Sequence, residues 1–494
     1  MIEAVESVLG TVEGVIWTYI GVPVLVLTAI YFTVRTRGGQ FRLIRSMFRS
    51  IVEPSGVDGE GRHDVSAFKS FCISAASRVG TGNIAGVAVA IAAGGPGAIF
   101  WMWVMGLLVG AMSMVESTLA QVFKTRDQDG FRGGPAYYIR NGLKKPWLAA
   151  LFAVLISVVY GFVFNSIQAN SITDAVRGSL PGVDPFWLSL VVGVLLVSLT
   201  APIIFGGVRR IANISSVVIP VMALVYITIC LVVLATNITM IPEVIGLIVT
   251  AAFDPLSVAG GTIGFGVVLM TGVQRGLFSN EAGMGSVPNA AATASVSHPA
   301  KQGLVQTLGV YFDTLLLCSL TAFVVLLSDW RGFMDDRSGE LGAGAMTQHA
   351  ISESFGALDP TLGPVMMHVV TVCIFLFAGT SLFGNYYYGE TNILYMFGSR
   401  RLLNIFRVTV LGFVLLGAMV PVSLVWAMGN VAMPLMAFVN IAAIILLSPI
   451  AFKVLRNFDE QHKQGLDPTF DNSALPGVDG VESWAPSAAT GRLG

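Results

Sequence analysis

The sequence predicts an all-α integral membrane protein of about eleven transmembrane helices: one extra N-terminal helix, then a 5+5 inverted repeat with two broken helices. Three observations carry that expectation. Of 494 residues, 54% are hydrophobic and only 12% charged, with a mean hydropathy of +0.76, whereas globular domains carry about 25% charge. Eleven apolar runs are long enough for a hydrocarbon core of about 30 Å, which takes roughly 20 helical residues. Two of these runs, five apart, are interrupted by glycine and polar residues.

In chain order, residues 1–35 hold the extra helix, with its apolar run at 14–34. RTRGGQFRLIRSMFR then opens a basic loop over 36–66. The first set of five spans occupies 67–236, with runs at 67–93, 97–123, 147–172, 185–204 and 213–236. A loop at 237–258 leads to the second set, 259–455, with runs at 259–292, 303–328, 362–397, 403–424 and 430–453. Residues 456–494 form a polar tail rich in Pro, Gly and Asp, with too few large apolar residues to fold alone.

Charge bias sets the orientation. If the basic loop is cytoplasmic, alternation places 124–146, 205–212, 293–302, 398–402 and the tail on the same side. That side and the helix ends abutting it hold all 28 Lys and Arg residues apart from Arg177, Arg331 and Arg337 opposite, and Arg78 and Arg275 inside runs. The bias predicts an odd number of spans, an external N-terminus and a cytoplasmic C-terminus. The acidic start MIEAVESVLGTVEG lacks the basic region and cleavage site of a removable signal.

Several function classes are disfavoured. Cys72, Cys230, Cys318 and Cys373 stand singly in apolar runs, without metal-ligand spacing, as small packing residues do. No run groups His, Asp, Glu or Cys as an embedded enzyme would, and no GxxxxGK[ST] loop marks a nucleotide-driven pump. A net charge of −1 and short basic clusters argue against nucleic acid. Two unlike broken helices do not suggest the repeated rings of a channel. The expected partners are a small substrate, a coupling ion and membrane lipids, with no enzymatic cofactor; the pattern leaves the oligomeric state open.

The second run contains RVGTGN (78–83) and the seventh RGLFSNEAGMGS (275–286), followed by Pro288. Each Gly costs about 1 kcal/mol against Ala in a helix. A mid-membrane charge costs at least about 2.5 kcal/mol. Non-helical backbone at that depth is tolerated where it is buried in protein or lines a cavity, and there its free N–H and C=O groups can hold a carboxylate, an ammonium or Na⁺. Because each set has five spans, the second runs inverted to the first, so that the two breaks meet near the midplane.

At these residues the chain resembles the alanine or glycine:cation (sodium) symporter family, within the leucine-transporter fold superfamily. The resemblance rests on GTGNIAGVAVAIAAGGPGAIFWMWV (80–104), GGPAYYI (133–139), RGLFSNEAGMGSVPNAAATA (275–294) and YYGE (387–390), and runs from about residue 14 to 455. It implies Na⁺-coupled uptake of a small neutral amino acid across a plasma membrane, a bacterial inner membrane by the family's habit, with proton coupling as the alternative. It also implies a substrate site of Gly80, Thr81 and Gly82, whose backbone N–H groups take the substrate carboxylate. Gln168 adds a polar contact, Phe278 an aromatic lid, and Glu281 and Gly283 lie at the unwound turn. For sodium it implies Asn83 and Ser279 at one site, and Ala76, Val79, Ala378, Thr380 and Ser381 at another. Oxygen ligands of this kind suit a hard cation.

One position departs from the family pattern. A Trp usually stands two or three residues before YYGE, whereas FGNYYYGE here places Asn385 there. A carboxamide in place of an indole enlarges and polarises the pocket, which brings glutamine into consideration beside alanine and glycine. Glu116, Asp313 and Glu390 also lie in or beside runs, either as proton relays or as carboxylates satisfied by a neighbouring helix or Arg78. Arg275 is expected near the interface, its head reaching water, and His298 in a solvated or capping role.

Overall fold

The computed structural model describes residues 2–56, 64–127, 130–180, 182–254, 264–332 and 343–485. The start of the expected seventh run (259–263), Arg337, and the tail beyond 485 lie outside them. Every one of the eleven apolar runs contains helix. Among the described residues, eight helices are long and apolar enough to cross a membrane, or nine if the bent pair Ala67–Arg78 and Gly82–Gly94 counts as one span. Two runs fall short for plain reasons: Phe265–Asn280 has 16 residues, and Arg400–Gly417 spends three of its 18 positions on Arg400, Arg401 and Arg407.

Several segments expected as loops are ordered. Ile241–Phe253 is helical, and its end packs against the third span, where the Trp101 indole donates to the Ala252 carbonyl at 3.3 Å. The basic loop contains the helix Ile44–Ile51, which buries Leu43 and Met47 against Leu304 and Phe458. A small hairpin pairs Thr125–Asp127 with Gly130–Arg132, and Ala343–Gly356 is a helix between spans eight and nine. All are shorter than a membrane crossing, so a search for long apolar runs passes over them.

The tail does not stand alone; it docks. The Trp484 indole donates to the Gln121 carbonyl at 2.8 Å, the Phe470 N–H donates to the Ser297 carbonyl at 2.9 Å, and Lys301 pairs with Asp467 at 2.8 Å. Leu475 and Val481 are buried. Its few apolar residues are too sparse to make a core, but they suffice to cover the face that holds most of the Lys and Arg.

Among the described residues, four spans contain π-helical turns, where one extra residue loosens the backbone ladder. Three of these turns, Gly82–Gly86, Val159–Phe164 and Tyr311–Cys318, lie in the spans that surround the breaks.

Candidate functional site

The second span starts cleanly, with Ser66 as N-cap accepting from the Lys69 N–H at 3.2 Å. Its first half ends at Arg78, and the helix resumes at Gly82 with its axis turned by 54°. Arg78 is buried and anchored, its guanidinium donating to the Gln306 carbonyl at 3.1 Å and to Ser113 Oγ at 3.4 Å. The glycines permit close approach. A Cβ at Gly80 would lie 3.0 Å from Gln168 Oε1 and crowd the Ser381 hydroxyl; one at Gly82 would lie 3.2 Å from Ser279 Cα and 3.3 Å from the Phe278 ring. The Thr81 N–H donates to Gln168 Oε1 at 3.1 Å, and the Gly80 N–H to Asn83 Oδ1 at 3.2 Å.

The seventh span breaks at its own glycines. Helix Phe265–Asn280 is followed by Glu281 at φ +56°, and Gly283 and Gly285 both stand at φ +83°, a region that side chains disfavour. Helix returns at Val287, with Pro288 in its first turn. The turn is pinned from outside. Glu116 Oε1 accepts from the Gly283 N–H, and the Asn440 amide bridges Glu116 Oε2 and the Gly283 carbonyl, all at 2.9 Å.

Two polar clusters fill the space between the breaks. In the first, Glu281 accepts from Ser77 at 2.7 Å and from Ser286 at 2.8 Å, and Ser77 Oγ lies 2.6 Å from Asn385 Oδ1. Asn385 is buried, and its Nδ2 has no hydrogen-bond partner among the described residues. In the second cluster, Asn83 Nδ2 donates to Asp313 Oδ1 at 2.7 Å, Ser279 Oγ donates to Asp313 Oδ2 at 2.7 Å, and Thr314 Oγ1 donates to Oδ2 at 3.0 Å. Asp313, wholly buried, sits in the π-helical turn of span eight.

Of the two hydroxyls assigned in span nine, only that of Ser381 is placed at the first break; the Thr380 hydroxyl faces Met222 Sδ at 3.9 Å. Ser381 Oγ is 3.4 Å from the Ser77 carbonyl and donates to Phe377 O at 3.1 Å, as Thr380 Oγ1 does at 2.8 Å. A Cβ at Gly384 would lie 3.1 Å from the Ala76 carbonyl carbon, so Ala76 is close, while Val79 is the first residue past the helix end. The Ala378 methyl packs elsewhere, in an apolar cluster with Ala169, Ile172 and Leu382. Phe278 stands between two rings, its centroid 5.1 Å from Phe164 and 4.9 Å from Trp426.

The structure thus brings together Gly80, Thr81, Gly82, Gln168, Phe278 and Ser381 at one end, and Asn83 with Ser279 beside them. Asp313, Ser77, Phe164 and Trp426 join these groups without having been assigned from the sequence. The signal for Asp313 was a lone carboxylate in an apolar run; its partners became visible only when spans two, seven and eight met. Glu390 lies apart, between Arg132 at 3.3 Å and Arg407 at 3.4 Å on a polar cavity of about 490 Å³. Arg275 is buried against the Trp426 ring at 5.0 Å rather than reaching water. His298 is a buried cap, its Nδ1 accepting from the Ala300 N–H at 3.1 Å.

On the basic face the two broken spans are tied together: Ser70 donates to the Ala290 carbonyl at 2.8 Å, and the Ser295 N–H to the Val65 carbonyl at 2.9 Å.

Two broken helices meeting across buried oxygen groups are the geometry of a secondary transporter. Residues 2–472 match the sequence profile of the sodium:alanine symporter family. The chain belongs to that family. It is a multi-pass membrane transporter and not an enzyme. The amino-acid carrier protein AlsT of Bacillus subtilis is 47% identical over 480 residues, covering 97% of each chain. The "Probable sodium/glutamine symporter GlnT" of the same organism is 43% identical over 487 residues, 99% of this chain and 98% of that one. The crystal structure of MhsT in complex with L-phenylalanine superposes with a TM-score of 0.55 at 14% identity, over 80% of this chain and 99% of that one. That likeness gives the family member the leucine-transporter fold.

Proposed function

We propose that the chain couples inward movement of Na⁺ to uptake of a small neutral amino acid by alternating access. Its N-terminus lies outside and its C-terminus inside a bacterial inner membrane. The observation that carries this reading is the meeting of the two breaks over Asn83, Ser279 and the Asp313 carboxylate. A buried carboxylate beside amide and hydroxyl oxygens is a donor set suited to a hard cation. In this reading Asn83, Ser279 and Asp313 hold one ion. Thr380 and Ser381, with the backbone of Ala76, Val79 and Ala378, hold another. The substrate carboxylate takes the N–H groups of Gly80, Thr81 and Gly82, displacing Gln168 from Thr81, while Phe278 closes over it. Glu281 and Gly283 shape the far wall.

For the side chain, alanine and glycine fit the family, and the Asn385, Ser77 and Glu281 cluster favours glutamine as well. The Asn385 amide lacks a partner that a carboxamide oxygen would supply. The test is uptake of labelled amino acids into vesicles containing the purified protein, with an imposed Na⁺ gradient. Uptake should vanish when choline or K⁺ replaces Na⁺ at fixed pH. Uptake that persists without Na⁺ and follows an imposed pH gradient would assign the coupling to protons instead.

A further inference from the structure

A second site lies outside the breaks, where the first span meets the last. Arg35, Arg37, Arg42, Arg456 and Asp459 line a groove floored by Phe452. Arg35 is held over the Phe452 ring at 5.0 Å, and Arg42 pairs with Asp459 Oδ2 at 2.6 Å. The other carboxylate oxygen, Oδ1, is buried with no hydrogen-bond partner among the described residues. The groove thus gathers four arginines and one carboxylate, whose Oδ2 is held by Arg42 and whose Oδ1 is left without a donor among the described residues. Arg37 adopts a left-handed backbone at φ +55°, unusual for a non-glycine residue.

Apolar surface reaches this groove from two sides. Leu27, Ile30 and Val34, directly before Arg35, are exposed, as are Phe41, Ile44 and Phe48 beside Arg42. A free anion has no use for such flanks. A lipid does, because its acyl chains and its phosphate must be satisfied at adjacent depths. We propose that this groove binds the headgroup of an anionic glycerophospholipid, with the phosphate on Arg35, Arg37 and Arg456 and a headgroup hydroxyl donating to Asp459 Oδ1. Excess guanidinium selects net negative charge; Asp459 selects a headgroup that carries a donor. The site joins the extra N-terminal helix to the last span through a lipid. It rests on the membrane reading of the chain and is independent of the substrate and ion.

The experiment uses the full chain purified in detergent, with phosphatidylglycerol as probe. Phosphatidylcholine, phosphatidylethanolamine and inorganic phosphate serve as comparisons. Phosphatidylglycerol should remain bound in native mass spectrometry and raise the melting temperature, and the other three should not. Arg37→Gln with Arg456→Gln should weaken retention at least about tenfold, while Arg401→Gln, an exposed arginine outside the groove, should leave it unchanged. Asp459→Asn should reduce the preference for phosphatidylglycerol over phosphatidic acid, which lacks the headgroup hydroxyl. Equal retention in the double variant, equal loss in Arg401→Gln, an equal effect of phosphatidylethanolamine, or a matching shift with phosphate alone would each overturn the proposal. An unchanged melting temperature of the variants in phosphatidylcholine confirms that they are folded.

Discussion

Asn83 Nδ2 lies 2.7 Å from Asp313 Oδ1. One bond thus joins the first broken span to the π-helical turn Tyr311–Cys318 of span eight. If this pair belongs to the ion site, Asp313→Ala should raise the Na⁺ concentration for half-maximal uptake by roughly 10–100-fold, the loss of one charged ligand. Asn83→Ala and Thr380→Ala should shift it less and in the same direction, with membrane expression retained. Normal Na⁺ dependence in all three variants, measured by initial uptake rates, would place the ion elsewhere.

Asn385 stands where the family resemblance implies a Trp. Glutamine should compete with labelled alanine in the wild type, and Asn385→Trp should shift preference towards alanine and glycine. Competition assays on both proteins decide it. If glutamine competes in neither, or the order of preference is unchanged, Asn385 does not set the size of the pocket.

Glu116 holds the unwound turn of span seven through Gly283 and Asn440. Glu116→Gln keeps an acceptor for the Gly283 N–H and should retain most uptake. Glu116→Leu leaves buried donors unpaired, at about 1–3 kcal/mol each, and should lower both melting temperature and transport. A proton relay would instead make the glutamine variant as inactive as the leucine one.

Burial pushes the His298 imidazole down to about 4, against a stabilising bond from Asn457 and with the charge of Lys301 adding to the depression. The unfolded chain takes up this proton near pH 6.5 and the folded chain only near 4, so the neutral cap contributes fully above 6.5. Its contribution is lost as pH falls between those values, on the order of 3 kcal/mol in all. Melting temperature should fall across that window. His298→Asn, which retains a capping acceptor, should flatten the fall; an identical pH profile would show that His298 does not titrate there.

The long elements were legible because membrane crossing imposes length and hydropathy together, and the breaks because glycine beside Arg78 or Glu281 is costly unless used. What the sequence hid was lateral. Asp313 looked like one isolated carboxylate among three, and nothing local distinguished it from Glu390, which is neutralised by Arg132 and Arg407 at another place. Ser77, Phe164 and Trp426 are ordinary residues in ordinary runs, and only the packing of three spans gives them neighbours. Two helices escape a criterion of apolar length for different reasons: Ile44–Ile51 is amphipathic, and Ile241–Phe253 is apolar but only 13 residues long.

The docked tail makes Trp484 a native optical probe. Its indole rests on Gln121, whose amide holds the carbonyls of Ala291 at 2.5 Å and Ala294 at 3.0 Å, at the end of the second broken span. Separating spans two and seven on this face pulls on those carbonyls and so alters the surroundings of the indole. In a variant whose other seven Trp are replaced by Phe, emission from Trp484, read with an aqueous quencher, would therefore register each opening of the face in real time, with no dye attached.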